Sequence, residues 1–217
     1  RAESYSHALK GCNDNLIPIF TDRSGETIAA MLGVLISGRG FAPLNPKQPL
    51  IRIKNCLNSL KSSVYIAADQ KQIPETLTYE YNHVSVNSKL FKSLPSKPNE
   101  LIYNHIIYVL FTSGSTGIPK GVMADISNLE NTLSWSEDML NWKDNDVIGC
   151  CTNFFFDISI FDVFTALNFN VPIAIFSQPN NPNTVIEEIS SFRVTSIFGV
   201  PTFFSQIYRN FNKNIHK

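Results

Sequence analysis

The sequence predicts an α/β fold, with mostly parallel strands flanked by helices. Three observations carry this. Short apolar runs alternate with segments of helical periodicity in both halves of the chain. That alternation is the signature of strand-helix-strand units, which build parallel sheets. The densest apolar run, Ile106 to Phe111, ends directly in a turn rich in Gly, Ser and Thr.

The elements follow in order. Leu16 to Phe20 is a short apolar run of buried-strand type. From Asp22 to Ser37, Ile28, Met31, Leu32 and Leu35 recur at helical spacing, with Asp22 or Ser24 as N-cap and Gly38-Arg39-Gly40 as the stop. Phe41 to Leu44 is a second strand, ended by Asn45-Pro46. Leu50 to Leu60 is helical, with Ile53, Leu57 and Leu60 on one face, and Val64 to Ala67 is a third strand. Residues 16–68 thus form a first α/β unit. Residues 69–104 are polar and irregular, with Pro74, Pro95 and Pro98, and read as a linker. Thr76 to Tyr79 and Val84 to Val86 are its strand-like patches.

Residues 105–217 form a second α/β unit. After the Ile106 to Phe111 strand and its turn come a helix at Asn128 to Leu140 and a strand at Val147 to Cys151. A helix at Ser159 to Leu167 follows, with Ile160, Val163, Phe164 and Leu167 at helical spacing, then a strand at Val171 to Phe176. A helix at Asn183 to Phe192, capped by Asn183 or Thr184, a strand at Thr195 to Phe198 and a helix from Thr202 to Phe211 complete the alternation.

Size and composition bound the function. The 217 residues hold one substantial core, or one core and a partial second layer, and 43% are apolar, which excludes a disordered chain. Eighteen basic residues balance eighteen acidic ones, and no basic stripe marks a nucleic-acid binder. Ile28 to Ile36 is too short to span a bilayer, so no membrane partner is expected. Cys12, Cys56, Cys150 and Cys151 form no C-x-x-C pair, and the four His match no zinc spacing. They read as reduced thiols of a cytoplasmic protein. A first residue Arg1, and an end at Lys217 just after a helix-like run, read as cuts in a longer protein.

The chemistry sits in Thr112-Ser113-Gly114-Ser115-Thr116-Gly117-Ile118-Pro119-Lys120-Gly121. Gly114 and Gly117 let the backbone approach a bulky anion, and successive N–H groups in such a turn form an anion site. The hydroxyls of Thr112, Ser113, Ser115 and Thr116 add uncharged donors, and Lys120 adds a point charge suited to phosphate. Together they predict a polyphosphate grip. The Walker form G-x-x-x-x-G-K-[ST] fails, because Lys120 follows Pro119. The dinucleotide form fails as well, because Gly38-Arg39-Gly40 meets Pro43 where a third Gly is needed.

Tyr108 to Met123 resembles the phosphate-loop signature of adenylate-forming (AMP-binding) enzymes: acyl-CoA synthetases, luciferases and the adenylation domains of nonribosomal peptide synthetases. Ala29 to Pro46 resembles the segment that commonly reads AMLGILKAGGAYVPLDP in peptide-synthetase adenylation domains, and Phe156 to Phe164 resembles their FDxSxxxxF segment. The likeness runs from about Leu16 to Tyr208. It implies that 1–217 is a partial adenylation domain, an incomplete N-terminal portion of the large lobe. It implies ATP as substrate with Mg2+, acyl-adenylate formation with release of pyrophosphate, and transfer to the phosphopantetheine thiol of a carrier protein.

The resemblance also assigns residues. Thr112, Ser113, Gly114, Ser115, Thr116, Gly117 and Lys120 would bind the ATP phosphates. Asp157 would pair with the α-ammonium of an amino acid, a role suited to a carboxylate at a helix start, although Asp157 or Ser159 would also serve as a plain N-cap. Ile158, Phe161 and Phe198 would line the side-chain pocket and favour an apolar or small side chain. Ile126 stands where the family usually carries His or Arg. The family's magnesium-binding acidic segment, ribose-binding Asp and catalytic-lysine lobe would follow beyond Tyr208, so no metal ligand is expected in this chain, and the chain alone is expected to be inactive. The alternatives are an acyl-CoA ligase fragment and a non-catalytic, degenerate nucleotide-binding module.

Overall fold

Strands β1 (Leu16–Phe20), β2 (Gly40–Leu44), β3 (Val64–Ala67), β4 (Asn82–His83), β5 (Ile106–Thr112) and β6 (Lys120–Asp125) form one sheet in the order β4-β3-β1-β2-β5-β6. The computed structural model describes residues 1–67, 69, 73–84, 106–112 and 118–215. Every pairing in the sheet is parallel except β5 with β6, which run antiparallel. Ile17, Ile19 and Phe20 of β1 are all buried. A strand covered on both faces reads as a continuous apolar run.

Among the described residues, four helices belong with this sheet: α1 (Ala2–Ala8), α2 (Gly25–Ile36), α3 (Leu50–Leu60) and α4 (Glu75–Glu80). Ile53, Leu57 and Leu60 are the buried face of α3, as the spacing predicts, joined by Cys56. In α2 the buried positions are Thr27, Ala30, Met31, Gly33 and Val34, with Ile28, Leu32 and Leu35 only half-buried. The shift has a cause in α1, which the sequence reading lacked. A Cβ on Gly33 would lie 2.4 Å from Tyr5 Cβ and 2.5 Å from the Ala2 carbonyl oxygen, so α1 rests directly on the α2 backbone. Tyr5 OH donates to Glu26 at 2.6 Å and Arg1 pairs with the same carboxylate at 2.9 Å. Burial, then the Glu26 bond, drives the Tyr5 phenol far above its ordinary value. A seven-residue helix has little stability of its own, and these tertiary contacts supply it.

The linker region contains ordered structure. Thr76 to Tyr79, expected as a strand-like patch, lies in helix α4, which starts after Pro74 and buries Leu77 in the core of Phe20, Ile53, Leu57 and Tyr65. Pro is suited to the mouth of a helix, and burial of Leu77 overrides the β-propensity of Thr and Tyr. The edge strand is Asn82–His83, ahead of the expected Val84 to Val86; residues 85 and 86 lie outside the described residues.

Helix α5 (Ile126–Leu140) begins two residues before the expected Asn128. Asp125 Oδ1 accepts from the Asn128 N–H and Ser127 Oγ, while Asn128 Oδ1 accepts from the Asp125 N–H. This is the reciprocal logic of a capping box. The chain divides into compact units Arg1–Leu129 and Glu130–Lys217. Strand pairing puts β5 and β6, grouped by the sequence with residues 105–217, in the sheet of the first unit.

In the second unit β7 (Ile148–Cys150), β8 (Ile173–Ile175) and β9 (Ser196–Phe198) form a parallel sheet in the order β8-β7-β9. Helices α6 (Asp157–Asn168), α7 (Pro182–Ser191) and α8 (Pro201–Ile215) alternate with the strands. Ile160, Val163 and Phe164 of α6 are buried as expected, whereas Leu167 is half-exposed. The cap of α7 is Asn181, whose side chain accepts from the Asn183 and Thr184 N–H groups; neither Asn183 nor Thr184 is the cap. Pro182 takes the first helical position, so the cap lies two residues upstream of Asn183. All four cysteines are free, and burial pushes the Cys56 thiol up to about 11.

Candidate functional site

The phosphate-type loop is the connection of a β-hairpin. The β5–β6 register sets Thr112 opposite Lys120 and Phe111 opposite Gly121. Thr112 Oγ1 donates to the Lys120 carbonyl oxygen at 3.4 Å. Both ends of the loop are thereby held by the ladder, with Thr112 and Lys120 both exposed. Ser113, Gly114, Ser115, Thr116 and Gly117 lie outside the described residues. Gly121 has a packing reason to be Gly, because a Cβ there would lie 2.9 Å from Cγ1 of the buried Val109. The sequence reading saw the first strand of this hairpin and missed the second. Val122 and Met123 are both exposed, so β6 shows no in-out alternation from which to recognise it.

In the second unit β7 lies between β8 and β9. The chain passes from β7 through α6 to β8 on one side, and then from β8 through α7 to β9 on the other side of β7. In open parallel sheets, ligands bind at the carboxyl ends of strands where connections diverge in this way. Asp157 follows the end of β7 and Phe198 ends β9. The structure brings Phe161 and Phe198 together edge to face, with ring centroids 4.7 Å apart at 81°. Ile158 and Phe161 are three residues apart on α6, and Asp157 and Phe161 four apart, so all three share one helical surface.

Neither Asp157 nor Ser159 is the N-cap of α6. Phe156 holds that position, with no side-chain cap bond. Asp157 is the first helical residue, exposed, and among the described residues its carboxylate accepts one bond, from the Ile158 N–H at 2.9 Å. Ser159, fully buried, donates to the carbonyls of Asn153 and Phe156 and fastens the loop entering the helix. The carboxylate therefore faces solvent at the positive end of the helix dipole, where negative charge is favoured.

Two residues missed from the sequence complete the picture. Trp135 stands 6.3 Å from Phe161 and Trp142 stands 6.2 Å from Phe198. Their signal was available, because these are the only two tryptophans in the chain and lie seven residues apart. Ile126, in the first turn of α5, is exposed. Among the described residues no three His, Cys, Asp or Glu side chains converge as a metal site requires, and no helix is long and apolar enough to cross a membrane.

Comparison with known proteins places these features in a family. The model of the AMP-binding enzyme family matches residues 1–217. Bacitracin synthase 3 of Bacillus licheniformis is 29% identical over 195 residues, which cover 88% of this chain and 3% of the synthase. The chain thus spans a small part of such relatives. Among solved structures, o-succinylbenzoate CoA synthetase of Bacillus subtilis, in complex with its acyl-adenylate intermediate, superposes with a TM-score of 0.82 at 16% identity, covering 96% of this chain and 56% of the synthetase. The same synthetase is also known with ATP and magnesium ion. VinN, in complex with L-aspartate, gives 0.81 at 18% identity over 95% of this chain and 59% of VinN. The fold is that of adenylate-forming enzymes, and the sequence resembles the N-terminal part of peptide-synthetase adenylation domains. The chain belongs to the AMP-binding enzyme family.

Proposed function

We propose that the chain is the N-terminal part of an adenylation domain that activates an amino acid. ATP is held by the phosphate loop, Thr112 to Gly117 with Lys120. A carboxylate oxygen of the acid attacks the α-phosphorus, the bond to pyrophosphate breaks, and an acyl-adenylate forms. The acyl group then passes to the phosphopantetheine thiol of a carrier protein, in a cytoplasmic synthetase. The observation that supports an amino acid is the exposed Asp157 carboxylate on the helical surface it shares with Ile158 and Phe161. An α-ammonium at Asp157 would leave the acid's side chain beside the Phe161–Phe198 ring pair, which suits an apolar group. Lys120 supplies positive charge toward phosphate oxygens, and loop N–H groups supply neutral donors. Magnesium accompanies ATP in the solved synthetase. Among the described residues no cluster of His, Cys, Asp or Glu fits it.

The test is amino-acid-dependent pyrophosphate exchange in a longer protein that carries this chain. Asp157→Ala is expected to lower exchange by about 100-fold, the scale of removing one partner of a hydrogen-bonded charge pair. Unchanged exchange in that variant favours an acyl-CoA ligase. Lys120→Ala is expected to lower exchange with every acid by a similar factor, about 100-fold. The 217-residue chain by itself is expected to give negligible exchange. A non-catalytic nucleotide-binding module is the second reading, favoured by Ile126; robust exchange in the longer protein removes it.

A further inference from the structure

Both tryptophans of the chain stand against the ring pair proposed for the acid pocket. Four rings follow one another: Trp135, Phe161, Phe198, Trp142. Trp135, on α5 and 51% exposed, meets Phe161 at 6.3 Å and 56°. Trp142 meets Phe198 at 6.2 Å and 54° and stacks on Phe169 at 6.0 Å and 26°. Its Nε1 donates to Oγ of the fully buried Ser136 at 3.2 Å. Stack and hydrogen bond together fix the Trp142 indole, which packs on the core of Ile148, Ala166 and Val171. A Phe on a helix has two accessible χ1 wells, and its neighbours decide between them. The Trp135 indole is one such neighbour of Phe161, and Phe198 is another.

We propose that Trp135 and Trp142 are positioning residues of the acid pocket, bracing the Phe161–Phe198 pair from its two ends and so limiting the pocket to small or medium apolar side chains. This rests on the proposal that the two Phe rings line that pocket. Trp142 is the fixed abutment, held by the core. Trp135 is the adjustable one, held by ring contact on an exposed helix surface. Its removal frees Phe161 to swing away from Phe198 and enlarges the pocket.

The experiment has two arms on the 217-residue chain. The first needs no ligand: crystal structures of Trp135→Ala and Trp135→Phe. Trp135→Ala is expected to move Phe161 to its other χ1 well and break the 4.7 Å contact with Phe198, and Trp135→Phe is expected to restore it. Because Trp135 is half-exposed, the Ala variant is expected to fold. The second arm is calorimetric titration with glycine, L-alanine, L-leucine and L-phenylalanine. The preference for L-phenylalanine over L-alanine is expected to rise about tenfold in Trp135→Ala and to return in Trp135→Phe, the scale on which pocket size discriminates apolar side chains. An unmoved ring pair in Trp135→Ala overturns the bracing proposal, whatever the titrations show. A ring pair that moves, with no bound amino acid or no change of preference, overturns the acid-pocket reading and leaves the bracing standing.

Discussion

Two aromatic pairs of nearly the same geometry sit in the two units of this chain. Phe20 and Tyr65 meet edge to face at 5.4 Å and 78° in the first unit, and Phe161 and Phe198 at 4.7 Å and 81° in the second. Phe20 is 2% exposed and Tyr65 0%, within the cluster of Ile53, Leu57 and Leu77. Phe161 and Phe198 are only half-buried and stand at the carboxyl ends of parallel strands. Ring geometry alone therefore does not separate core from pocket. What separates them is exposure and position in the topology: the buried pair stabilises the fold, while the partly exposed pair is the one proposed for the acid pocket.

The contrast is sharpest under truncation. Phe20→Ala is expected to cost about 3–5 kcal/mol of stability, the range for buried Phe, whereas Phe161→Ala is expected to cost less than about 2 kcal/mol because its ring is only partly buried. Equal losses in a denaturant titration would put Phe161 in the core and break the distinction. Next in size is Gly33→Ala. The added Cβ clashes with backbone and Cβ of α1 and is expected to cost about 1–3 kcal/mol, as overpacking does, read as a drop in melting temperature. Smaller still are the caps. Asp125→Ala and Asn181→Ala are each expected to lose about 1 kcal/mol, one in each unit, since a cap acts locally; a severalfold difference between them would show that one cap also serves tertiary packing.

The smallest effect is titration of His83. Its ring lies 5.2 Å from Tyr65, and burial lowers the imidazole below its ordinary 6.5. In the unfolded chain the ring takes up its proton first as pH falls, so this contribution to stability is present above about pH 6.5 and is lost as pH drops through the lowered folded value. Melting temperature between pH 7.5 and 5.5 is expected to fall less steeply in His83→Phe than in the parent chain. An identical slope would show that the ring is no more buried folded than unfolded.

Much of the fold was legible because apolar runs and helical spacing are local signals. β1, β3 and α3 have the boundaries that periodicity predicts, and β2 starts one residue earlier, at Gly40. The failures share a physical cause in tertiary contact. α1 is short and exists through its contact with Gly33 of α2. α4 is helical although Thr76 to Tyr79 carries β-propensity, because Leu77 is buried. β6 lacks alternation because its first four residues, Lys120 to Met123, are all exposed. The loop motif singled out Thr112 and Lys120, and the family resemblance singled out Asp157, Phe161 and Phe198; the folded chain joins Thr112 with Lys120 in the first unit and Phe161 with Phe198 in the second. The caps were misread because Asp, Ser, Asn and Thr cluster near several helix starts, and only backbone geometry decides which of them caps. Trp135 and Trp142 lie outside any chemical motif, and only the fold brings them to the ring pair.

The central claim is that Asp157 reads an ammonium group. The most direct measurement compares pyrophosphate exchange driven by L-leucine with that driven by its des-amino analogue, 4-methylpentanoate, in a longer protein carrying this chain and in its Asp157→Asn variant. The parent is expected to prefer the amino acid by at least about 100-fold, and the preference is expected to collapse toward one in the variant. A parent that uses both acids equally, or a variant that keeps the full preference, contradicts the assignment.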